Sequence, residues 1–290
     1  MMTETPTNNF SLDGKIGQIL CPTDLTPTSD GALQYATALA DAFKATLLIL
    51  HSVDNDDQIN DQTQVENLFS ESIGQYMVDH NPHIVWQGLV AAVPPAEAIV
   101  ATAKEKSVDL IVMRSRRRPL AAALLGSTTE AVCHAAPCPV LVTHPEERDI
   151  LAGNKLALHN ILVAYDFSPD AHLALSYALM LAQAEKAQIH LLYILTTAPE
   201  NPLYARFKSS RELAKAALQA EIGYDVWPHM AYEVREGSIY SEILNYAEEK
   251  KIDLISLGVA GTSDHKPLFG SNVDYVLRRS PCPILVARSA

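Results

Sequence analysis

Residues Asp253 to Val286 read DLISLGVAGTSDHKPLFGSNVDYVLRRSPCPILV, and this stretch decides the fold. Leu254-Ile255-Ser256-Leu257 has the apolar character of a buried strand and runs into Gly258-x-x-Gly261. Gly270-Ser271 then opens a helix that stops before Pro281-Cys282-Pro283, and Ile284 to Ala287 form a last strand. Glycines at a strand exit let backbone approach a ligand closely. A helix N-terminus presents free N–H groups and the positive end of the helix dipole to an anion. Strand, glycine loop and helix start together form a candidate phosphate cradle.

The same stretch occurs earlier with its first two glycines replaced. Val108-Asp109-Leu110-Ile111 matches Ile252-Asp253-Leu254-Ile255, and the same offset of 144 brings Gly126-Ser127 onto Gly270-Ser271 and Pro137-Cys138-Pro139 onto Pro281-Cys282-Pro283. Further upstream, Ile19 to Pro27 matches Ile161 to Pro169 at an offset of 142. The chain is therefore a tandem duplication with a period of about 140 residues, long enough for a domain rather than a solenoid repeat.

Each copy alternates strands and helices. In the first, Gln18–Cys21 reads as a strand and Thr26-Pro27 as a helix start, with Thr at the cap and Pro at the first helical position. Strand Thr46–Leu50, helix Gln64–Asp79, strand Ile84–Leu89, helix Pro95–Lys106, strand Leu110–Met113, a helix and strand Val140–Thr143 follow. The second copy repeats this from Ser168-Pro169 through strand Gln188–Leu192, helix Lys208–Ile222, strand His229–Val234 and helix Ser238–Lys250 to the opening stretch. Apolar strands alternating with helices predict an α/β fold of two tandem, doubly wound, mainly parallel five-stranded sheets, Rossmann-like in kind. Expected boundaries are a loose tail at 1–14, domains at 15–146 and 158–290, and a polar linker at 147–157. Strands Val140–Thr143 and Ile284–Ala287 can pair within one molecule, making an intramolecular pseudo-dimer about a pseudo-twofold.

Composition narrows the function. Net charge is −12, and the first 150 residues hold 9 Lys+Arg against 19 Asp+Glu. An acidic chain with no broad basic face is a poor nucleic-acid binder. No apolar run approaches the roughly 20 residues a membrane span needs, and the polar N-terminus lacks a secretory core, so the expected location is cytoplasmic. Cys21, Cys133, Cys138 and Cys282 match no zinc or C-x-x-C pattern and read as small buried residues. His51, His134 and His265 show no metal-ligand spacing.

These motifs together resemble the universal stress protein family, in its tandem two-domain form, over nearly the whole chain. The family's loop is G-x2-G-x9-G-[S/T] followed by a P-C-P-[V/I]-L-V strand; here Gly258-x2-Gly261-x8-Gly270-Ser271 precedes Pro281-Cys282-Pro283-Ile284-Leu285-Val286. The first strand also ends in the family's aspartate, Asp24 and Asp166. The resemblance implies an adenine-nucleotide alpha-hydrolase-like fold that binds ATP or AMP, with Mg2+ as an option, and an unidentified protein partner. Carried over by position, the second-domain nucleotide residues are Ala164, Asp166, Ile194, Leu257, Gly258, Gly261, Gly270, Ser271, Asn272 and Val273. The first domain's are Pro22, Thr23, Asp24, Ser52, Met113, Gly126, Ser127, Thr128 and Thr129. Dimerisation between chains is a further implication of the resemblance.

Two departures bear on this. The loop is one residue short in both copies, and in the first copy Arg114 and Arg117 stand in the glycine positions. Side chains there are expected to obstruct close backbone approach, leaving a degenerate site. The alternatives for Arg114, Arg116, Arg117 and Arg118 are phosphate binding or an ion-pair patch with Asp54, Asp56 and Asp57. Asp24 and Asp166 have a structural alternative as charges at a helix start. Ser168 and Thr26 read as helix caps. Ser271-x-x-Asp274 and Ser127-x-x-Glu130 resemble capping boxes that compete with phosphate for the same N–H groups. His265 and Lys266 lie within the loop, where contact with a phosphate is a further option. Three functions follow: a nucleotide-binding regulator, a pseudo-dimeric interaction module without nucleotide, and a slow ATPase. The last is the weakest, because no G-x-x-x-x-G-K-[S/T] loop or nucleophile arrangement is present; no catalytic residue is assigned.

Overall fold

The computed structural model describes residues 15–26, 30–53, 62–115, 126–144, 151–153, 155–196, 210–223, 226–259 and 271–289. The first half runs β1 (Gln18–Thr23), α1 (described from Asp30 to Phe43), β2 (Thr46–Ser52), α2 (Gln62–His80), β3 (Trp86–Ala91), α3 (Pro95–Glu105), β4 (Leu110–Arg114), α4 (Ser127–Ala135) and β5 (Val140–Thr143). A short hairpin, β6 (Leu151–Ala152) and β7 (Lys155–Leu156), leads to the second half. There β8 (Asn160–Ala164), α5 (Pro169–Glu185), β9 (Gln188–Leu195), α6 (Arg211–Ile222), β10 (Met230–Glu236), α7 (Ile239–Glu249), β11 (Leu254–Gly258), α8 (Ser271–Arg279) and β12 (Ile284–Ala287) repeat the order.

The strands form one continuous ten-stranded sheet, β10-β9-β8-β11-β12-β5-β4-β1-β2-β3. Pairing within each half is parallel, and the halves join through antiparallel β12 and β5, with Ile284 opposite Val142, Leu285 opposite Leu141 and Val286 opposite Val140. Closing these last strands on each other removes two apolar edges that would otherwise invite association. Because the seam is antiparallel, the carboxyl ends of the two halves point in opposite directions. Each face of the sheet carries its own core. One packs α1, α2, α5 and α6, with Leu39, Phe69, Leu175 and Leu218 inside. The other packs α3, α4, α7 and α8, with Ile99, Val132, Tyr246 and Val276.

The duplicated Ile/Val-Asp-Leu-Ile motif has a structural cause. Asp109 Oδ2 accepts the backbone N–H groups of Gly17 and Gln18 at 2.8 and 2.9 Å. Asp253 Oδ2 does the same for His159 and Asn160, both at 2.8 Å. Each aspartate thus satisfies the first amides of the neighbouring strand, donors that need a partner where the ladder begins. Across the halves, the Tyr177 hydroxyl donates to the Asp109 carbonyl at 2.9 Å.

The linker, one helix start and one strand start differ from expectation in ways with a local cause. The polar linker contains the β6–β7 hairpin, turned at Gly153 with φ +65°, and it is anchored because Leu156 and Leu158 are buried. The helix placed from Lys208 begins at Arg211, because the Ser210 hydroxyl accepts the Leu213 N–H and caps it. The strand placed from Ile84 begins at Trp86; Ile84 is a buried turn residue whose N–H is bonded to Asn81. Ser168 is a helix cap as expected, its hydroxyl accepting the Ala171 N–H at 3.1 Å. All four cysteines are buried thiols. Burial pushes Cys21, Cys133 and Cys138 up to about 12, so they stay protonated and unreactive at neutral pH. Among the described residues no helix is long and apolar enough to cross a membrane.

One buried polar group sets a pH response. His190 on β9 contacts the Tyr246 hydroxyl through Nδ1 at 2.9 Å and Asn160 Oδ1 through Nε2 at 3.2 Å. Burial, aided by the Lys250 charge, holds its imidazole below the ordinary 6.5. The unfolded chain therefore binds a proton more readily than the folded one as pH falls through about 6.5, and stability declines over that window. Chemical denaturation from pH 7.5 to 5 is expected to show this decline, and His190→Gln to lessen its slope. An unchanged slope in the variant assigns the effect to other groups.

Candidate functional site

In each half the chain leaves the first strand on one side, for the second and third strands, and returns to the fourth on the other. The switch point therefore lies between β8 and β11, and between β1 and β4. Crevices at the carboxyl ends beside such points are the usual ligand sites of open α/β sheets. In the second half, Ala164 is opposite Leu257 across β8–β11 and opposite Leu192 across β8–β9. Ala164, Leu257 and Ile194 share the α7–α8 face of the sheet, where Val273 from the first turn of α8 joins them. Ile194, Leu257 and Val273 are buried and Ala164 is half-buried. Four of the residues carried over by position thus line one apolar wall, with the small Ala164 at its centre. Asn272 sits half-buried on α8 beside it. Gly261 and Gly270 lie outside the described residues, as do Arg116, Arg117, Arg118, His265, Lys266 and the acidic residues Asp54, Asp56 and Asp57; of Ser271 only its place at the start of α8 is described.

Asp166 stands at the mouth of this crevice, two residues beyond β8. Its Oδ1 accepts the Ser168 N–H at 3.0 Å across Phe167, which takes a left-handed φ of +66°. Burial pushes the carboxyl above its ordinary value, opposed by the hydrogen bonds from Ser168. Asp24 repeats the turn: Oδ1 accepts the Thr26 N–H at 3.1 Å and hydroxyl at 2.6 Å, and Leu25 has φ +58°. Both aspartates thus fold the strand exit into the approach to the next helix. Asp274 forms an ion pair with Arg278 one turn on, so its carboxylate is drawn along α8 rather than back to the cap.

Gly258 has a local cause that the sequence does not display. A Cβ built there would lie 2.6 Å from Asp170 Cβ, 2.8 Å from the Asp170 carbonyl carbon and 2.9 Å from Ala171 N. The glycine faces the first turn of α5, opposite the apolar wall, and lets that helix seat on the strand. Asp170, which the sequence reading missed, is buried there and accepts the backbone N–H and hydroxyl of Ser289 at 2.7 and 2.5 Å. Its place just inside a Ser-Pro helix start was the available signal.

The first half differs at the same register. Arg114, expected to obstruct the crevice, points instead to the α1 face, where a side chain added at Gly31 would overlap its guanidinium. Met113 is buried on the opposite face. The Ser52 hydroxyl donates to the Val93 carbonyl, and the Thr23 hydroxyl accepts the Leu25 N–H. Pro22 is half-buried on β1, and Gly126 caps α4 with φ −61°, followed by exposed Ser127, half-buried Thr128 and buried Thr129. The candidate residues of this half are thus spread over both faces. Among the described residues no group of three or more His, Cys, Asp or Glu is placed to hold a metal ion.

A tandem, doubly wound α/β protein with a switch point in each half is the class these features define. The model of the universal stress protein family matches residues 15–144 and 157–288, and the chain belongs to that family. A universal stress protein of Methanocaldococcus jannaschii is 28% identical over 150 residues, 48% of this chain and 87% of the relative. The same fold occurs in the solved structure of a universal stress protein from Archaeoglobus fulgidus, with TM-score 0.70 at 22% identity, covering 97% of this chain and 99% of the other. A Pseudomonas aeruginosa structure described as a putative universal stress protein follows, with TM-score 0.68 at 19% identity, covering 94% and 93%.

Proposed function

We propose that the second half binds an adenine nucleotide, ATP or AMP, in the crevice between β8 and β11, and that this binding regulates a partner in the cytoplasm. The observation that carries the reading is the apolar wall of Ala164, Ile194, Leu257 and Val273 at a switch point. An apolar slot takes a base, while a helix start such as that of α8 offers backbone N–H groups to phosphate. Asp166 stands where a ribose would lie. The domain limits of 15–146 and 158–290 belong to the same proposal. Calorimetric titration with ATP is expected to give about one site per chain. Ala164→Leu fills the slot and should weaken binding about tenfold or more; retained affinity in Ala164→Leu and in Gly261→Arg overturns the placement.

A second reading draws support from Gly258. Its glycine is already explained by helix packing, so the strand exit needs no ligand to account for it. The protein then acts as a pseudo-dimeric interaction module without nucleotide. Mass spectrometry of ligands released from freshly purified protein separates the readings: adenine nucleotide in the released fraction supports the first, and its absence together with no calorimetric signal supports the second.

A further inference from the structure

The two halves present different chemistry on the face that α1 and α5 cover, opposite the apolar wall. In a parallel ladder, residues paired in register share a face, and alternate residues return to it. At the carboxyl end of the second half, the register pair Gly258 and Ala287 is followed across the sheet by Tyr165 and Tyr193. Phe167 packs edge-on against both tyrosines, and the Tyr165 hydroxyl lies 2.8 Å from His172 Nε2. That end is filled by small and aromatic groups. In the first half, the corresponding positions are the register pair Arg114 and Thr143, then the register pair Thr23 and His51.

Two groups in this polar row have no hydrogen-bond partner among the described residues: Arg114 Nε and Thr143 Oγ1, both buried atoms. Thr143 is 0% exposed. They are neighbours in register and lie on the same face, because Val112 and Leu141, two residues earlier in their strands, belong to the α1-side core. The guanidinium lies against Gly31 of α1. A buried guanidinium N–H without an acceptor carries a desolvation cost. An unbonded buried hydroxyl carries a further desolvation cost.

We propose that the first half binds a small tetrahedral oxyanion, a phosphate group, between Arg114 and Thr143 beside Gly31 of α1. The anion answers both features: it accepts from the guanidinium in a charge-assisted bond and accepts from the Thr143 hydroxyl. Arginine at 114 and glycine at 31 form one device, the short residue making room for the long one. The second half lacks it, having Gly258 and Ala287. The site is separate from the nucleotide crevice by both half and sheet face, so it stands or falls independently of that reading.

The test is a titration of 15N-labelled full-length protein with inorganic phosphate, against chloride at equal ionic strength. The Gly31 and Thr143 amide signals are expected to shift saturably with phosphate. Thr143→Ala, which installs the residue found at 287, and Arg114→Gln should each weaken the response about tenfold or more. If Arg114→Gln does not fold, Arg114→Lys, which keeps the charge and loses the forked geometry, takes its place. No saturable shift at Gly31 in the parent protein would mean that Arg114 is satisfied within the chain, and overturns the proposal; so does a shift that survives both substitutions.

Discussion

Gly258→Arg, which gives the second half the residue of the first, is expected to destabilise the protein by about 3 kcal/mol or more. The first carbon of any side chain there would meet Asp170 and Ala171 at 2.6 to 2.9 Å. The atoms met include helix backbone, so the obstacle is not a side chain that can rotate aside. α5 would have to lift, and its lifting disturbs the Ser168 cap and the bonds from Ser289 to Asp170. Even Gly258→Ala should show most of the loss, because the clash is with the first carbon. Arg114→Gly should be mild by comparison, since it removes a partly exposed side chain and leaves α1 seated. Urea denaturation of the three variants checks the order. A Gly258→Ala protein as stable as the parent would show that α5 moves without cost and that Gly258 is present for another reason.

Leu285→Asp is expected to cost about 4 kcal/mol or more, the range for an unpaired buried charge or a lost core side chain. Leu285 is 0% exposed and sits opposite Leu141 in the antiparallel seam. A carboxylate there has no cation to pair with and no water. The chain has two tryptophans, Trp86 on β3 and Trp227 before β10, so each half carries its own fluorescent reporter. Trp227→Phe and Trp86→Phe backgrounds follow the halves separately. In the parent both reporters should change at one urea concentration, because the sheet is continuous through the seam. In Leu285→Asp the second half should unfold first and the transitions should part. Coincident, barely shifted transitions would mean that the seam contributes little to either half. Leu285→Met, which keeps the volume, should cost less than about 1.5 kcal/mol.

Much of this architecture is legible in the chain because the duplication supplies an internal comparison. Strands such as Leu254–Leu257 are buried on both faces and therefore continuously apolar, and cap chemistry at Ser168-Pro169 is local. The seam was readable for a related reason: two short, wholly apolar last strands need each other. Boundaries that depend on a capping hydroxyl, such as Ser210, or on a buried turn, such as Ile84, were displaced by a few residues. Periodicity marks the interior of an element more sharply than its ends.

Of the candidate site, the residue types were legible and their directions were not. Gly258 reads as a loop glycine when only its neighbours Leu257 and Val259 are considered. Its constraint comes from Asp170 and Ala171, far away in the chain, and exists only once α5 is laid on β11. Arg114 likewise reads as an obstruction until alternation along β4 places it on the α1 face beside Gly31 and Thr143. By itself, then, the amino-acid sequence determined a duplicated α/β unit, the family it belongs to and the asymmetry between its glycine loops, because these rest on pattern and local conformation. The tertiary structure decided which sheet face each loop residue serves. It also decided that Gly258 answers to helix packing and that Arg114 lies on the α1 face beside Gly31 and Thr143. Those facts depend on distances between segments that meet only in the fold.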